Sequence, residues 1–239
     1  MRAVRLHGFH QEVVVEEVPE PTVSGPFDVI VKVGGAGVCR TDLHIIEGQW
    51  DSRMGMPLPY TIGHENAGWV QEVGAGGLGH IGIQCLVALT ATRIVVVDRN
   101  PAALALAEQL GAHHTVVADG SHVAAVQELT DGLGGDVVLD FVAEQGAENE
   151  GFAMTRPGGS YYVIGYGGQL EVPTLDIIST ERNIVGNIVG TYNELAELMV
   201  LAQTGRVTLH TSTYPLDAAA DALADLDAGK VRGRAILVP

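Results

Sequence analysis

The sequence predicts an α/β protein that combines a doubly wound parallel sheet with a smaller β domain. Three observations support this fold class. Residues 1–33 contain close-set strand patterns separated by prolines, and residues 69–98 contain a strand, a glycine cluster, a helix and a second strand. After residue 98 the predicted strands and helices alternate, which is typical of a parallel sheet with helices on its faces.

Composition limits the possible function classes. The chain has 239 residues, 46% of them apolar, which is enough for a core, and no apolar run approaches the roughly 20 residues of a membrane span. The formal net charge of −16 argues against binding to nucleic acid or to anionic lipid. Two cysteines cannot form a disulfide framework, and the first residues do not resemble a signal peptide. We therefore expect a soluble cytoplasmic protein without nucleic-acid or membrane partners.

The N-terminal strands predict a small antiparallel barrel or sandwich. Strand patterns cover residues 3–6, 12–18 and 28–33, with Pro19, Pro21 and Pro26 between them.

A glycine cluster follows the strand pattern Trp69–Val73 and begins a helix, and its residues are Gly74, Gly76, Gly77, Leu78 and Gly79. Such glycines permit a tight turn that brings backbone N–H groups and a helix N-terminus close to a pyrophosphate. The next strand ends at Asp98, 24 positions after Gly74, where a carboxylate can accept a hydrogen bond from a ribose 2′-hydroxyl. This carboxylate would repel a 2′-phosphate and favours NAD over NADP, although Arg99 beside it weakens that preference. The alternative is a glycine-rich turn in an ordinary α/β domain.

The remaining chain is predicted to form further strands and helices, the last helix and the last strand being its tail. Strands are predicted at 114–117, 136–141, 160–164, 183–189 and 234–238, and helices at 101–110, 121–130, 146–155, 192–203 and 217–226. Open α/β sheets bind ligands at the carboxyl ends of their strands. Val163 and Gly165, at such an end, are therefore candidate coenzyme contacts.

Cys39, His64 and Glu65 form a plausible partial zinc set. Thiolate, imidazole and carboxylate are ligands that zinc accepts, and three protein ligands plus water make a catalytic site. Taken singly, the cysteine could be a buried apolar residue and the His-Glu pair a surface hydrogen bond.

In these motifs the chain resembles the zinc-containing medium-chain alcohol dehydrogenases. The matching segments are Gly37–His44, Gly63–Gly68, Gly74–Gly79 with Asp98, and Gly229–Arg234. The resemblance implies a GroES-like β domain with catalytic zinc, formed by residues 1–73 and 207–239, and a Rossmann domain that binds NAD, formed by residues 74–206.

The resemblance also implies residue roles. Cys39 and His64 would be zinc ligands, Glu65 a carboxylate near the metal, and Asp42 a residue that orients the His64 ring. Thr41 would accept the proton of the substrate hydroxyl and His44 would pass it to solvent. Arg40 and Arg234 would contact the coenzyme pyrophosphate.

The chain departs from the family at residues 68–74, where the β-domain segment continues directly into the glycine cluster that begins at Gly74. The rest of the β domain, the lobe with four cysteines that holds structural zinc, and the remaining catalytic ligand are missing at this point. Structural zinc should therefore be absent, and catalytic zinc depends on a third ligand from Glu65 or a partner chain. We expect residues 69–73 to form a strand of the parallel sheet, because the glycine turn needs a strand before it. The β domain would then be incomplete, with exposed edges that favour a homo-oligomer.

The sequence thus predicts a zinc-assisted, NAD-dependent dehydrogenase acting on a small alcohol, aldehyde or ketone. One alternative is an NAD-binding Rossmann module with an incomplete, inactive metal site. Another is a zinc protein in which the glycine turn is only structural.

Overall fold

The computed structural model describes residues 1–22, 32–69, 78–231 and 233–239. It divides into two compact units, one formed by Met1–Gly77 with Leu209–Pro239 and the other by Leu78–Thr208. The predicted strand positions 28–31 and 70–73, and the coenzyme candidates Gly74, Gly76 and Gly77, lie outside the described residues. The exact domain boundary near residue 74 therefore stays a prediction.

The described elements follow one another in chain order. The strands are β1 (Arg2–Leu6), β2 (Val14–Glu17), β3 (Lys32–Val38), β4 (Tyr60–Thr61), β5 (Glu65–Trp69), β6 (Val95–Asp98), β7 (His114–Val117), β8 (Gly135–Asp140), β9 (Thr155–Val163), β10 (Asn183–Gly186), β11 (Thr211–Pro215) and β12 (Arg234–Val238). The helices are α1 (Arg40–Ile46), α2 (Asp51–Met54), α3 (Leu78–Leu89), α4 (Pro101–Gln109), α5 (His122–Leu129), α6 (Ala147–Met154), α7 (Thr174–Thr180), α8 (Tyr192–Gln203) and α9 (Ala219–Asp227).

The first unit contains two sheets and a helix that packs on them. One sheet has the order β2-β1-β4 and the other the order β11-β12-β3-β5. Apolar residues of α9 are buried with residues of both sheets, and this core comprises Val4, Val38, Ile62, Ala219, Ala222, Leu223, Ala235 and Leu237. Burial of these side chains is the main stabilising contribution within the unit.

Glycines in β3 let its neighbours approach closely. A Cβ at Gly35 would lie 2.9 Å from Ile236 Cγ2 of β12, and a Cβ at Gly37 would collide with the Glu65 side chain of β5. The strand β3 has the sequence KVGGAGV. Its glycines leave space for side chains of both neighbouring strands, β12 and β5, to lie across it.

The strand β5 corrects one expectation. We expected residues 69–73 to belong to the parallel sheet, but Trp69 pairs with Lys32 in the antiparallel β3–β5 ladder of the first unit. The prediction is wrong at Trp69, and residues 70–73 lie outside the described residues. The physical reason is that β5 pairs with a strand some 30 positions earlier in the chain, a contact that local sequence rules do not detect.

The second unit confirms the predicted α/β class. Its strands pair in parallel, β6 with β7 and β8 with β9 with β10, and helices connect them. The helix α4 begins where Asn100 caps it, since the Asn100 side chain accepts a hydrogen bond from Ala102 N at 2.9 Å. Among the residues that the structure describes, no helix has both the length and the apolar character needed to cross a membrane.

Candidate functional site

The turn between β3 and α1 places Cys39. Cys39 is the N-cap of α1, and its backbone N–H donates to Asp42 Oδ2 at 2.9 Å, which closes a capping box. The Asp42 side chain is only 1% exposed and accepts two further hydrogen bonds at Oδ1, from Gly63 N at 3.2 Å and from His64 Nδ1 at 3.1 Å. One buried carboxylate therefore holds both segments that carry the candidate metal ligands.

The His64 ring faces Cys39 as a consequence. Because Nδ1–H donates to Asp42, Nε2 is left as the atom that faces the Cys39 sulfur, and Nε2 and Sγ are 3.2 Å apart. A carboxylate behind a metal-binding histidine fixes its tautomer and orientation in this way. The hydrogen bond to Asp42, followed by that to Cys39, raises the pKa of His64 to about 10 in the metal-free chain, although partial burial opposes the shift.

Glu65 brings a carboxylate to the same place. It is paired with Gly37 across the β3–β5 ladder, and its side chain lies over that glycine. Oε1 forms an ion pair with Arg234 Nη2, whereas the buried Oε2 has no hydrogen-bond partner. Burial raises the pKa of Glu65, and the nearby charges of Arg234 and His64 act in the opposite direction.

These three residues fit a zinc ion. One ligand atom each from Cys39, His64 and Glu65 lies within 4.8 Å of the other two, and this is the one such group of three among the described residues. The donor set of thiolate, imidazole and carboxylate suits zinc, and the unpartnered Oε2 of Glu65 is a lone-pair donor already buried at the site.

The helix α1 carries three more candidates from the sequence. Thr41 is half-buried and lies one turn from His44, whose side chain is buried. Arg40 Nη1 donates to Asp227 Oδ1 of α9 at 2.8 Å. A proton taken up by His44 would need a further group to reach solvent, because this residue is only 2% exposed.

Arg234 takes a place that differs from its expected one. The family resemblance implies contact with the coenzyme pyrophosphate, yet the Arg234 side chain is buried at the start of β12, where it contacts Glu65 and donates from Nη1 to Val38 O at 3.4 Å. Its contact with a coenzyme stays a prediction.

The coenzyme candidates of the second unit lie at strand and helix ends. Leu78 and Gly79 are the first residues of α3, Asp98 is the last residue of β6, and Val163 is the last residue of β9. Gly165 N donates to Asp140 O at 2.9 Å, which binds the end of β9 to the end of β8.

Two features that matter for the site were not found from the sequence. Gly37 is needed because it lies opposite Glu65, and Asp140 because it organises the loops after β8 and β9. Gly37 lies in the matching segment Gly37–His44, but no role was predicted for it because its role depends on strand pairing, and Asp140 lies in no predicted motif. An Asp at the end of a predicted strand is the only available signal.

Comparison with known proteins places the chain in a family. Residues 77–204 match the family model described as zinc-binding dehydrogenase, and residues 25–99 match that of the alcohol dehydrogenase GroES-like domain. The chain belongs to the zinc-type medium-chain alcohol dehydrogenases, a family of oxidoreductases, and its two units are of the GroES-like and Rossmann types.

Individual relatives support this membership. The crystal structure of the alcohol dehydrogenase from Aeropyrum pernix is 30% identical, with 100% of each chain covered and a TM-score of 0.95. An NAD-dependent alcohol dehydrogenase of Sulfurisphaera tokodaii is 23% identical, with 100% of each chain covered, and one of Sulfolobus acidocaldarius is 25% identical, with 99% of each covered. The Sulfurisphaera alignment has 349 positions for a chain of 239 residues, so at least 110 positions have no residue of this chain. The NAD-dependent relatives and the zinc-binding family model support NAD and zinc as the cofactors.

Proposed function

We propose that this chain is an NAD-dependent, zinc-assisted alcohol dehydrogenase that converts a small alcohol to an aldehyde or ketone, and the reverse. The observation that carries the proposal is the convergence of Cys39, His64 and Glu65 within 4.8 Å, in a chain of a dehydrogenase family. In this reaction the carbinol C–H bond breaks and its hydride passes to NAD, while the hydroxyl proton leaves for a protein group.

The residues of the first unit would hold the metal and move the proton. Cys39 and His64 would bind zinc, with Glu65 as the third protein ligand, and Asp42 keeps the His64 ring in its binding orientation. Zinc in such a site acts as a Lewis acid that lowers the pKa of a substrate hydroxyl. Thr41 would accept the hydroxyl proton, and His44, one turn further along α1, would take it from there.

The glycine cluster and residues of the second unit would bind the coenzyme. Gly74, Gly76, Gly77, Leu78 and Gly79 would surround the pyrophosphate, and Asp98 would accept a hydrogen bond from the adenosine ribose. Asp98 Oδ1 already accepts the Asn100 N–H at 2.7 Å, so its second oxygen would serve the ribose.

The decisive experiment compares the two cysteines. We expect Cys39→Ser to lose zinc and alcohol-dependent NADH formation while NADH binding stays within about twofold of wild type, because serine is a poor zinc ligand. Cys85→Ser is the matched control, since Cys85 lies in α3 and is no member of the metal group, and it should behave as wild type. Zinc is measured by mass spectrometry and NADH by absorbance with a panel of primary and secondary alcohols.

The possible results separate the rival functions. NADH binding without zinc or turnover in the wild-type chain would favour the module with an inactive metal site. Zinc binding without NADH binding would favour a zinc protein in which the glycine turn is structural.

A further inference from the structure

Two segments at the carboxyl ends of β8 and β9 are joined by a single buried residue, through its side chain and its main-chain carbonyl. We name them the β8 end loop, residues 142–146, and the β9 end turn, residues 164–169. Asp140, the last residue of β8, is 7% exposed. Its carboxylate and its carbonyl contact both segments, so its position controls theirs.

The carboxylate of Asp140 fixes the β8 end loop. Oδ1 accepts hydrogen bonds from Val142 N and Ala143 N, each at 2.8 Å. Oδ2 accepts a hydrogen bond from the hydroxyl of Tyr161, which is fully buried in β9, at 2.6 Å. Hydrogen bonds to an ionised acceptor are among the stronger ones in proteins.

The same residue fixes the β9 end turn. The carbonyl oxygen of Asp140 accepts hydrogen bonds from Ile164 N and Gly165 N, both at 2.9 Å. Gly165 also lies against the loop, because a Cβ at that position would collide with the carbonyl of Val142. Gly168 N donates to Ala143 O at 2.8 Å and completes the connection between the two segments.

The β8 end loop holds an uncommon backbone conformation. Ala143 and Gln145 have positive φ angles of 46° and 57°, a region that residues other than glycine rarely occupy. Such conformations persist only where surrounding contacts determine them, and they cluster at ligand-binding sites. The two hydrogen bonds to Asp140 Oδ1 are contacts of this kind.

The loop also contacts the end of β6. Arg99, which follows the candidate ribose ligand Asp98, donates from Nη1 to Gln145 Oε1 at 3.0 Å and from Nη2 to Gln145 O at 3.4 Å. The carboxyl ends of the paired strands β8 and β9 form an edge of their sheet, and the Arg99 hydrogen bonds connect the end of β6 to this edge. Open α/β sheets bind nucleotides at such edges.

We propose that Asp140 is a positioning residue for the coenzyme: it does not touch NAD but sets the β8 end loop and the β9 end turn in the arrangement that receives it. This inference rests on the proposed function, because it requires that NAD binds at this edge. The inference adds Asp140 to the proposed coenzyme site, and its role follows from its hydrogen bonds to two backbone segments.

The test compares substitutions that remove different parts of this network. Asp140→Ala removes the acceptors for both loop N–H groups and should raise the Kd for NADH about tenfold or more. Asp140→Asn keeps one oxygen for Val142 and Ala143 and should restore the Kd to within about threefold of wild type. Kd is measured by fluorescence titration with NADH and stability by thermal unfolding, both on the full chain.

Two controls separate positioning from general destabilisation. Tyr161→Phe removes only the bond to Oδ2, so it should lower the Tm while leaving the Kd within about threefold. Asp136→Asn changes an exposed carboxylate of the same strand, which pairs with Arg156 at 2.5 Å, and should change neither quantity. Hydrogen exchange should accelerate at the Val142 and Ala143 amides in Asp140→Ala alone.

The outcomes are distinct. The inference is overturned, and the proposed function stands, if folded Asp140→Ala binds NADH with the wild-type Kd. The same holds if Tyr161→Phe raises the Kd as much as Asp140→Ala does for an equal loss of Tm. Absence of NADH binding in the wild-type chain overturns both. If Asp140→Ala does not fold, Gly165→Ala is measured in its place, because the Cβ of the new alanine would displace the Val142 carbonyl. An unchanged Kd for NADH in Gly165→Ala also overturns the inference.

Discussion

At the scale of single residues, the metal site depends on one buried carboxylate. Asp42 accepts hydrogen bonds from Cys39 N, Gly63 N and His64 Nδ1, so it connects the segment before α1 with the segment before β5. An acid at this place stabilises the ligand arrangement before any metal binds, which lowers the entropy cost of binding.

This role predicts the effect of Asp42→Asn. The amide cannot accept at both ends, so either Cys39 N or His64 Nδ1 loses its acceptor, and we expect zinc affinity to fall about 10–100-fold. Competition with a fluorescent chelator measures it. Asp217→Asn, in an exposed carboxylate of the same unit, is the control and should keep wild-type affinity. Unchanged affinity in Asp42→Asn would mean that His64 is oriented by other contacts.

Tyr161 gives a pH-dependent prediction. Burial, followed by the hydrogen bond to Asp140, raises the pKa of its phenol well above the usual range. The folded chain keeps this proton when the unfolded chain releases it near pH 10, so the phenol's contribution to stability is complete below about pH 10 and falls as the pH rises further.

The measurement is chemical unfolding of wild type and Tyr161→Phe at several pH values. The stability difference between the two should be constant from pH 7 to about pH 9 and should shrink at about pH 11. A difference that grows with pH would contradict the protonated state of this tyrosine.

Residue types alone identified part of the site. Cys39, His64 and Glu65 were candidates because their side chains are zinc ligands, and the structure brings them together. The pairing of Glu65 with Arg234 could not be predicted, because it depends on β3 lying between β5 and β12.

At the scale of elements, the register of β3 with β5 places the carboxylate. Gly37 lies opposite Glu65, and the missing side chain leaves space for Glu65 to lie across the strand. The sequence located the β5 segment but assigned Trp69 to the wrong sheet. The glycine turn that follows suggested a parallel strand, whereas the described pairing is antiparallel with β3.

This register predicts the outcome of Gly37→Ala. The added Cβ would displace Glu65, so we expect weaker zinc binding, about tenfold or more, and a loss of about 1–3 kcal/mol in the free energy of unfolding from overpacking. Gly186→Ala is the matched control, because this glycine also lies in a strand and a Cβ there meets nothing within 4 Å. If Gly37→Ala binds zinc as wild type does, Glu65 is not a ligand.

At the scale of the whole molecule, the chain has both domain types of its family within a shorter length. The alternation of strands and helices was enough to predict the class of the second unit, because each parallel strand needs a crossover helix. The junction near residue 74 could not be resolved from sequence, since one segment carries the features of two strands.

The predicted homo-oligomer is a property of the whole chain that stays a prediction. Apolar side chains after the edge strand β10 and on α7 are exposed, with Ile188 at 81%, Val189 at 97% and Ile178 at 70%. Exposed apolar groups of this kind are common at protein interfaces.

The central claim is that one zinc ion is held by Cys39, His64 and a carboxylate. X-ray absorption at the zinc edge, on protein whose metal content has been measured, tests it most directly. We predict about one zinc per chain with a single sulfur ligand and the remaining ligands nitrogen or oxygen, and loss of the zinc itself in Cys39→Ser. Zinc with no sulfur ligand, or a wild-type chain that binds no zinc, would contradict the account.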